Sequence, residues 1–291
     1  ESGAVGGCPG DQHREGLSVM TIEPQRYSSD NPLKILSLGW GVQSWTLAAM
    51  AALGEIPMPD YAVHADTTHE NSGTYAHAKQ WTPWLEEHGV KVITVLASGS
   101  RIGAVSDDST KAVMIPAFTT NLQGDAGQIR RQCTANWKIA PIRRFIREVI
   151  PKPRPGLVES WQGISLDEWH RMRTSDVAYI KNVYPLVDRR ISRANCVAWL
   201  EEHGLDIPPK SACTFCPYHN KDTWRRMKQA GGADWDEAIA VDNAIRHKRP
   251  NHVLFVHSSR LPLAEAISIP EDYGAKQMEM DIPCDSGHCF V

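Results

Sequence analysis

Two stretches of this sequence carry residue types at spacings that can do chemistry. In the first, Ser37-Leu38-Gly39-Trp40-Gly41-Val42-Gln43-Ser44 sits between two apolar runs. A glycine-containing turn between a strand and a helix exposes backbone N–H groups, and the helix dipole adds to their pull on an anion. The stretch is therefore a candidate phosphate cradle. It lacks the Gly-Lys-Ser/Thr ending of a Walker A loop and the Gly-x-Gly-x-x-Gly spacing of a dinucleotide fingerprint. Taken alone, it also fits a plain strand-to-helix turn. In the second stretch, Cys213-Thr214-Phe215-Cys216 is a Cys-x-x-Cys followed by Pro217. Two thiolates so spaced can grip one metal ion or two corners of a cluster. Cys133 and Cys196 are the natural cysteines to complete a set of four. Cys196 has a simpler use as well: with Trp199 and Leu200 it forms an apolar stripe at helical spacing that would bury it in a core.

These residues need elements to position them. Residues 33–36 read as a strand, 37–44 as the turn, and 45–53 as a helix closed by Gly54. A second strand at 61–65 ends in Asp66-Thr67-Thr68, a helix follows over 73–88 with Gly89 stopping it, and 90–96 is a third strand. This alternation predicts a parallel, doubly wound sheet. Residues 97–128 are polar and glycine-containing and suggest a lid. Pro141 opens a helix whose Ile142, Phe145, Ile146, Val149 and Ile150 follow helical spacing. A fourth strand is expected at 157–164, and Ser192 caps a helix running to His203, where Gly204 stops it. Helices near 222–229 and 234–246, a strand at 253–256 and a cysteine-bearing tail complete the chain.

With 291 residues, 42% of them hydrophobic and 22% charged, the chain can bury a full core. No apolar run approaches the ~20 residues of a membrane-spanning helix, and the N-terminal residues lack the apolar core of a signal peptide. A cytoplasmic protein is expected. Seven cysteines, an odd number, point to metal binding, catalysis or burial rather than disulfide stapling. The net charge of −3 gives no overall pull toward nucleic acid, so such contact needs a local patch. Arg130, Arg131, Lys138, Arg143, Arg144, Arg147, Lys152 and Arg154 supply one, and Lys221, Arg225, Arg226 and Lys228 a second. Either could steer a polyanion such as tRNA or DNA, or be a solvated helix face.

The pattern Ser-x-Gly-x-Gly-x-x-Ser resembles the PP-loop of the adenine nucleotide alpha-hydrolase superfamily, usually Ser-Gly-Gly-x-Asp-Ser. Further segments are similar to its PAPS-reductase branch, in consistent order from Leu33 to Trp224. Asp66-Thr67-Thr68 stands where those proteins carry Asp-Thr-Gly, and Arg131-Gln132-Cys133 through Lys138 and Pro141-Ile142 resembles their Cys-x-x-x-x-Lys-x-x-Pro-Leu. Tyr184-Pro185-Leu186-Val187-Asp188 and Ser211-Ala212-Cys213-Thr214-Phe215-Cys216-Pro217 resemble the distal half of bacterial APS reductases. The chain departs from the pattern at Gln43, in place of an acid, at bulky Trp40 inside the turn, and at Cys133, which is followed by Thr134 rather than by a second cysteine. The reductase tail with its nucleophile is missing; Cys284-Asp285-Ser286-Gly287-His288-Cys289 is the nearest segment.

The resemblance implies a Rossmann-like (HUP-type) α/β/α sandwich with a mostly parallel five-stranded sheet. Its parts would be a disordered leader over 1–32, a PP-loop nucleotide-binding domain over 33–190, and a Cys-rich C-terminal helical extension over 191–291 packed on that domain. It implies ATP and Mg²⁺ as ligands, held by Ser37, Gly39, Gly41, Gln43 and Ser44 around the phosphates, with Asp66 near the adenosine or the metal and Gly163 over the base or ribose. Lys138, with Arg131 or Arg171, would neutralise the departing pyrophosphate. Cys133, Cys196, Cys213 and Cys216 would hold a 4Fe-4S cluster, or zinc, and Cys284 and Cys289 could carry sulfur from a donor such as a cysteine desulfurase. The implied activity is cleavage of ATP to AMP and pyrophosphate that adenylates a substrate for sulfur transfer, in a homo-oligomer. A sulfonucleotide reductase and a non-catalytic nucleotide- or cluster-sensing subunit are the alternatives.

Overall fold

The computed structural model of the protein describes residues 27–97, 105 and 113–268. β1 (Leu33–Ser37), α1 (Val42–Ala52), β2 (Tyr61–Asp66), α2 (Ser72–Glu87) and β3 (Val92–Leu96) follow in the expected alternation. The chain then leaves the sheet for a hairpin of β4 (Ala117–Asn121) and β5 (Ala126–Ile129), a π-helical turn (Thr134–Ile139) and α3 (Ala140–Val149). It returns on the far side of β1 as β6 (Val158–Trp161), followed by β7 (Ile180–Val183), α4 (Pro185–Asp188) and α5 (Arg193–Glu202). The five strands pair in parallel in the order β3-β2-β1-β6-β7. The fold is thus an α/β, Rossmann-like one whose winding reverses between β1 and β6.

β1 is mostly apolar, at Leu33, Ile35 and Leu36, because both of its faces are covered, as in parallel sheets generally. Leu33 and Ile35 pack with Ile142, Ile146 and Val149 of α3 on one face. Leu36 and Leu38 pack with Trp45 and Leu47 of α1 and Leu200 of α5 on the other. α1 is buried from Val42 to Ala51, which explains why it is mostly apolar rather than striped beyond the polar Gln43, Ser44 and Thr46 of its first turns. Asn71 starts α2 by accepting from the Thr74 N–H (2.9 Å). Ser192 and Asn195 form a reciprocal capping box on α5.

The polar stretch expected as a lid is in part a sheet. Of residues 97–128, 98–104 and 106–112 lie outside the described residues, but β4 pairs antiparallel with β5 on one side and with β8 (His252–Phe255) on the other. This second sheet, with α6 (Lys221–Ala230) and α7 (Ala233–Ile245), encloses a separate core of Trp137, Phe215, Trp224, Val241, Ile245 and Leu254. The strand foreseen near 253–256 therefore belongs outside the parallel sheet, and β7 supplies the fifth parallel strand. Tyr27 packs on the core beside β1, so ordered chain begins before Leu33. No helix among the described residues is long and apolar enough to cross a membrane.

Burial pushes the imidazoles of His77, His219 and His257 down to about 4. Between the ordinary value of 6.5 and about 4, the unfolded chain binds protons that the native imidazoles refuse, so stability falls as the pH is lowered through that window. Each imidazole contributes a loss on the order of 1–3 kcal/mol. Urea unfolding at neutral pH and at about pH 5 is expected to show a lower midpoint in acid. His77→Phe should narrow the difference; an unchanged gap would remove His77 from this account.

Candidate functional site

The Ser37–Ser44 turn joins the carboxyl end of β1 to the amino end of α1, and its shape is set from inside. The Ser44 hydroxyl donates to the Gly41 carbonyl (3.2 Å) and accepts from the Gly39 N–H (3.2 Å), so the side chain at the end of the turn closes it on itself. Trp40 takes a left-handed backbone conformation, φ +56°. That costs a non-glycine residue about 1 kcal/mol. Burial of the indole offsets it, with the ring 6.0 Å from Trp45 and 5.9 Å from His77, centroid to centroid. The bulky residue inside the glycine turn is therefore directed into the core and leaves the outer face of the turn clear. Gly41 is the N-cap of α1 and no side chain caps that end. The first-turn amides are thus the kind of uncapped helix start that suits an anion.

A buried carboxylate ties this turn to the rest of the site. Glu70, four residues beyond the end of β2, accepts from Lys138 Nζ (3.0 Å), and its other carboxylate oxygen lies 3.4 Å from the Ser211 hydroxyl. Ser211 also reaches the Gly39 carbonyl (2.6 Å). The π-helical turn brings Lys138 inward, where with Ser37 it lines an open cleft. The cleft floor is the carboxyl end of β1, β6 and β7, at Ser37, Ser160 and Asn182. Crevices at such reversals of winding are where doubly wound sheets take ligands. Asp66, at the end of β2, accepts from the Thr68 N–H (2.7 Å) and the Tyr75 hydroxyl (2.7 Å). Burial and the adjoining Asp66 carboxylate together raise the Tyr75 phenol well above its usual value, so it stays a donor.

Other expected site residues take different places. Gly163 lies directly against α1: a Cβ there would stand 2.8 Å from the Ser44 N. It packs on the Ser37–Ser44 turn. The Gln43 side chain points to Glu168 (Nε2 to Oε2, 3.0 Å) and accepts from Arg193 (2.9 Å), leaving its backbone N–H as its means of meeting a phosphate. Arg171 is buried in an ion pair with Glu168, whose carboxyl is raised by burial despite that guanidinium. The Arg171 head therefore does not stand in the cleft. Arg131 lies over the Tyr218 ring (4.6 Å).

Cys196 stands apart from Cys133 and Cys213, which lie near each other. Cys196 is buried with Trp45, Leu47 and Leu200, in the core between α1 and α5. Cys133 and Cys213 border the other core, around Trp137 and Phe215. The Cys213 thiol lies 3.5 Å from Thr67 Oγ1 and is pushed up by burial. Among the described residues, no three His, Cys, Asp or Glu side chains form a group that could hold a metal ion. The residues present do not fit a four-cysteine cluster. Cys284 and Cys289 lie outside the described residues.

Sequence reasoning missed Glu70, Ser160, Gln162, Asn182 and the Arg143–Asp176 ion pair in the cleft. Arg143 reads as part of a solvated basic face, whereas its guanidinium lines the cleft. In the second basic patch, Arg225 pairs with Asp222, and Lys228 donates to Ser268 (2.6 Å). A polar residue two places after another polar residue at a strand end, as in Ser160-Trp161-Gln162, is the one signal that could have exposed the cleft floor.

Gly163→Ala is expected to push the amino end of α1 away from β6, costing about 1–3 kcal/mol as overpacking does. Thermal unfolding should show the loss, and a variant as stable as the parent would contradict the close approach. No family model matches the sequence, and no curated protein matches it. Among solved structures, the chain is similar to a phosphoadenylyl-sulfate (PAPS) reductase from Candida auris, described as a phosphate complex. The TM-score is 0.40 at 12% sequence identity, covering 60% of this chain and 75% of that one.

Proposed function

We propose that the protein binds ATP with its phosphates on the Ser37–Ser44 turn and cleaves it between the α and β phosphates, transferring AMP to an oxygen of an acceptor. The observation that carries this reading is the uncapped amino end of α1 beside the buried Lys138, both at the reversal of winding. The segments that resemble a PP-loop protein, at 37–44, Asp66, Lys138 and Gly163, all lie at the carboxyl end of the same sheet.

In this mechanism the acceptor oxygen attacks the α phosphorus, the bond to the bridging oxygen breaks, and pyrophosphate leaves with the bonding pair. Negative charge grows on the departing group, and the fixed amides of the α1 amino end and the Lys138 ammonium face that charge without reorganising. Lys138 is held for this by Glu70, so its position is set before ligand arrives. Magnesium, entering with the phosphates, would neutralise further charge. Magnesium sites need only one or two protein carboxylates, and Asp66 is the one placed at the strand end. In a second step a thiolate or persulfide sulfur displaces AMP from the activated acceptor, the carbon–oxygen bond breaking as the carbon–sulfur bond forms.

With ATP and Mg²⁺ the nucleotide product is expected to be AMP, free or attached, with pyrophosphate. Chromatography showing ADP and phosphate as the main products would overturn the proposal. Lys138→Met should lower turnover by about a hundredfold or more, as loss of a preorganised charge does. Because Glu70 would lose its buried partner, the double variant Lys138→Met/Glu70→Gln keeps the test clear of misfolding. Full turnover in that folded double variant would remove Lys138 from the chemistry.

A further inference from the structure

Arg143 and Asp176 both line the cleft and pair with each other, but they are unequal partners. Arg143 comes from α3, and Asp176 from the chain between the helical turn Leu166–Arg171 and β7. That chain is tied at Arg173, whose carbonyl accepts from the Tyr184 hydroxyl (2.6 Å) and from Asn182 Nδ2 (2.9 Å). It is tied again at Ala178, whose carbonyl accepts from the Gly156 N–H (3.0 Å). Asp176 lies between those ties. The guanidinium forks onto its carboxylate, Nη1 donating to Oδ2 (3.3 Å) and Nη2 to Oδ1. The Arg143 side chain is 21% exposed and that of Asp176 is 76% exposed. A guanidinium largely withdrawn from water needs an anion beside it, whereas an exposed carboxylate is hydrated with or without a partner. The arginine side is also incompletely satisfied, since Arg143 Nε is buried with no hydrogen-bond partner among the described residues. The cleft itself is small, ≈ 70 Å³, where sites for organic ligands begin at about 300 Å³. Lys138 lines it as a second cation, and Ser37 and Asn182 carry further donors on its floor.

We propose that the Arg143 guanidinium is the receptor for a phosphate-type oxyanion in the cleft, and that the Asp176 carboxylate occupies this receptor until such an ion displaces it. A carboxylate and a phosphate offer the same pair of oxygens to the guanidinium fork. The exchange replaces one ion pair by another at Arg143, while Asp176 passes into water that already covers most of it. The hydrogen bond from Arg143 holds the Asp176 carboxyl below its usual range, so at neutral pH the two anions compete as anions. Inorganic phosphate, pyrophosphate and the terminal phosphate of a nucleotide all carry the group that fits, the remainder of a larger molecule lying outside the cleft. Nothing at this receptor requires cleavage of ATP, so it stands or falls apart from the function proposed above.

Calorimetric titration of the full chain with inorganic phosphate, pyrophosphate and the α,β-methylene analogue of ATP tests this. Asp176→Asn, which vacates the receptor, is expected to bind the ion that fits about two- to fivefold more tightly than the parent. Arg143→Gln should bind it at least about tenfold less tightly. The double variant separates displacement from a general loss of negative charge: without Arg143, Asp176→Asn should no longer tighten binding. Circular dichroism and thermal unfolding identify variants that retain the fold, and Arg143→Lys, which keeps the charge and loses the fork, takes the place of Arg143→Gln if that variant does not fold. Tighter binding of phosphate or pyrophosphate alone assigns the receptor to a free ion, and tighter binding that includes the analogue assigns it to the terminal phosphate of a nucleotide. Unchanged or weaker binding by Asp176→Asn, or a gain that persists without Arg143, overturns the receptor and leaves the nucleotide site on the turn standing where the analogue still binds. Binding of none of the three overturns both.

Discussion

The Glu70 carboxylate is the point on which the site depends. It is buried, and a buried carboxylate must be paired or it is too costly to keep ionised. Its partners come from distant parts of the chain: Lys138 from the turn before α3, and Ser211 from the segment leading into the Cys-x-x-Cys. Ser211 passes the constraint on to the Gly39 carbonyl, and Glu70 itself forms an isolated antiparallel bridge with Cys213. One carboxylate thus fixes the Lys138 ammonium, the outer edge of the Ser37–Ser44 turn and the cysteine loop relative to one another. Pieces far apart in sequence become a site because none of them can move without leaving a charge or a polar group unpaired.

The opposite side of the turn is held by shape. Gly163 meets the Ser44 backbone with no room for a Cβ, and the Trp40 ring is locked among Trp45 and His77. The turn is braced by hydrogen bonds through Ser211, by van der Waals contact through Gly163 and by aromatic packing through Trp40. Such bracing keeps the helix amides aimed at one place before ligand arrives, and preorganised donors are what a developing charge exploits.

The parallel sheet was legible in the sequence because burial of both faces leaves apolar runs, and because glycines mark the turns that follow. Gly89 and Gly204 take positive φ where they stop their helices. The hairpin of β4 and β5 was not legible, since Ala117-Phe118-Thr119-Thr120-Asn121 shows no apolar alternation of its own and is completed by β8 from much later in the chain. Ser37, Ser44 and Lys138 could be named beforehand because a local pattern marks them. Glu70 could not, because its importance comes from what lies opposite it across the fold. The cysteines show the reverse error: spacing along the chain suggested a common metal site, but Cys196 follows the apolar stripe of α5 into a different core. Helical spacing with Trp199 and Leu200 was the stronger signal.

The central claim is that the amino end of α1 holds the phosphates of a nucleotide. A crystal structure of the protein with the α,β-methylene analogue of ATP tests this most directly. The account predicts phosphate oxygens within about 3 Å of the backbone N–H groups of residues 41–44. A nucleotide bound anywhere else, with those amides left to solvent, would contradict it.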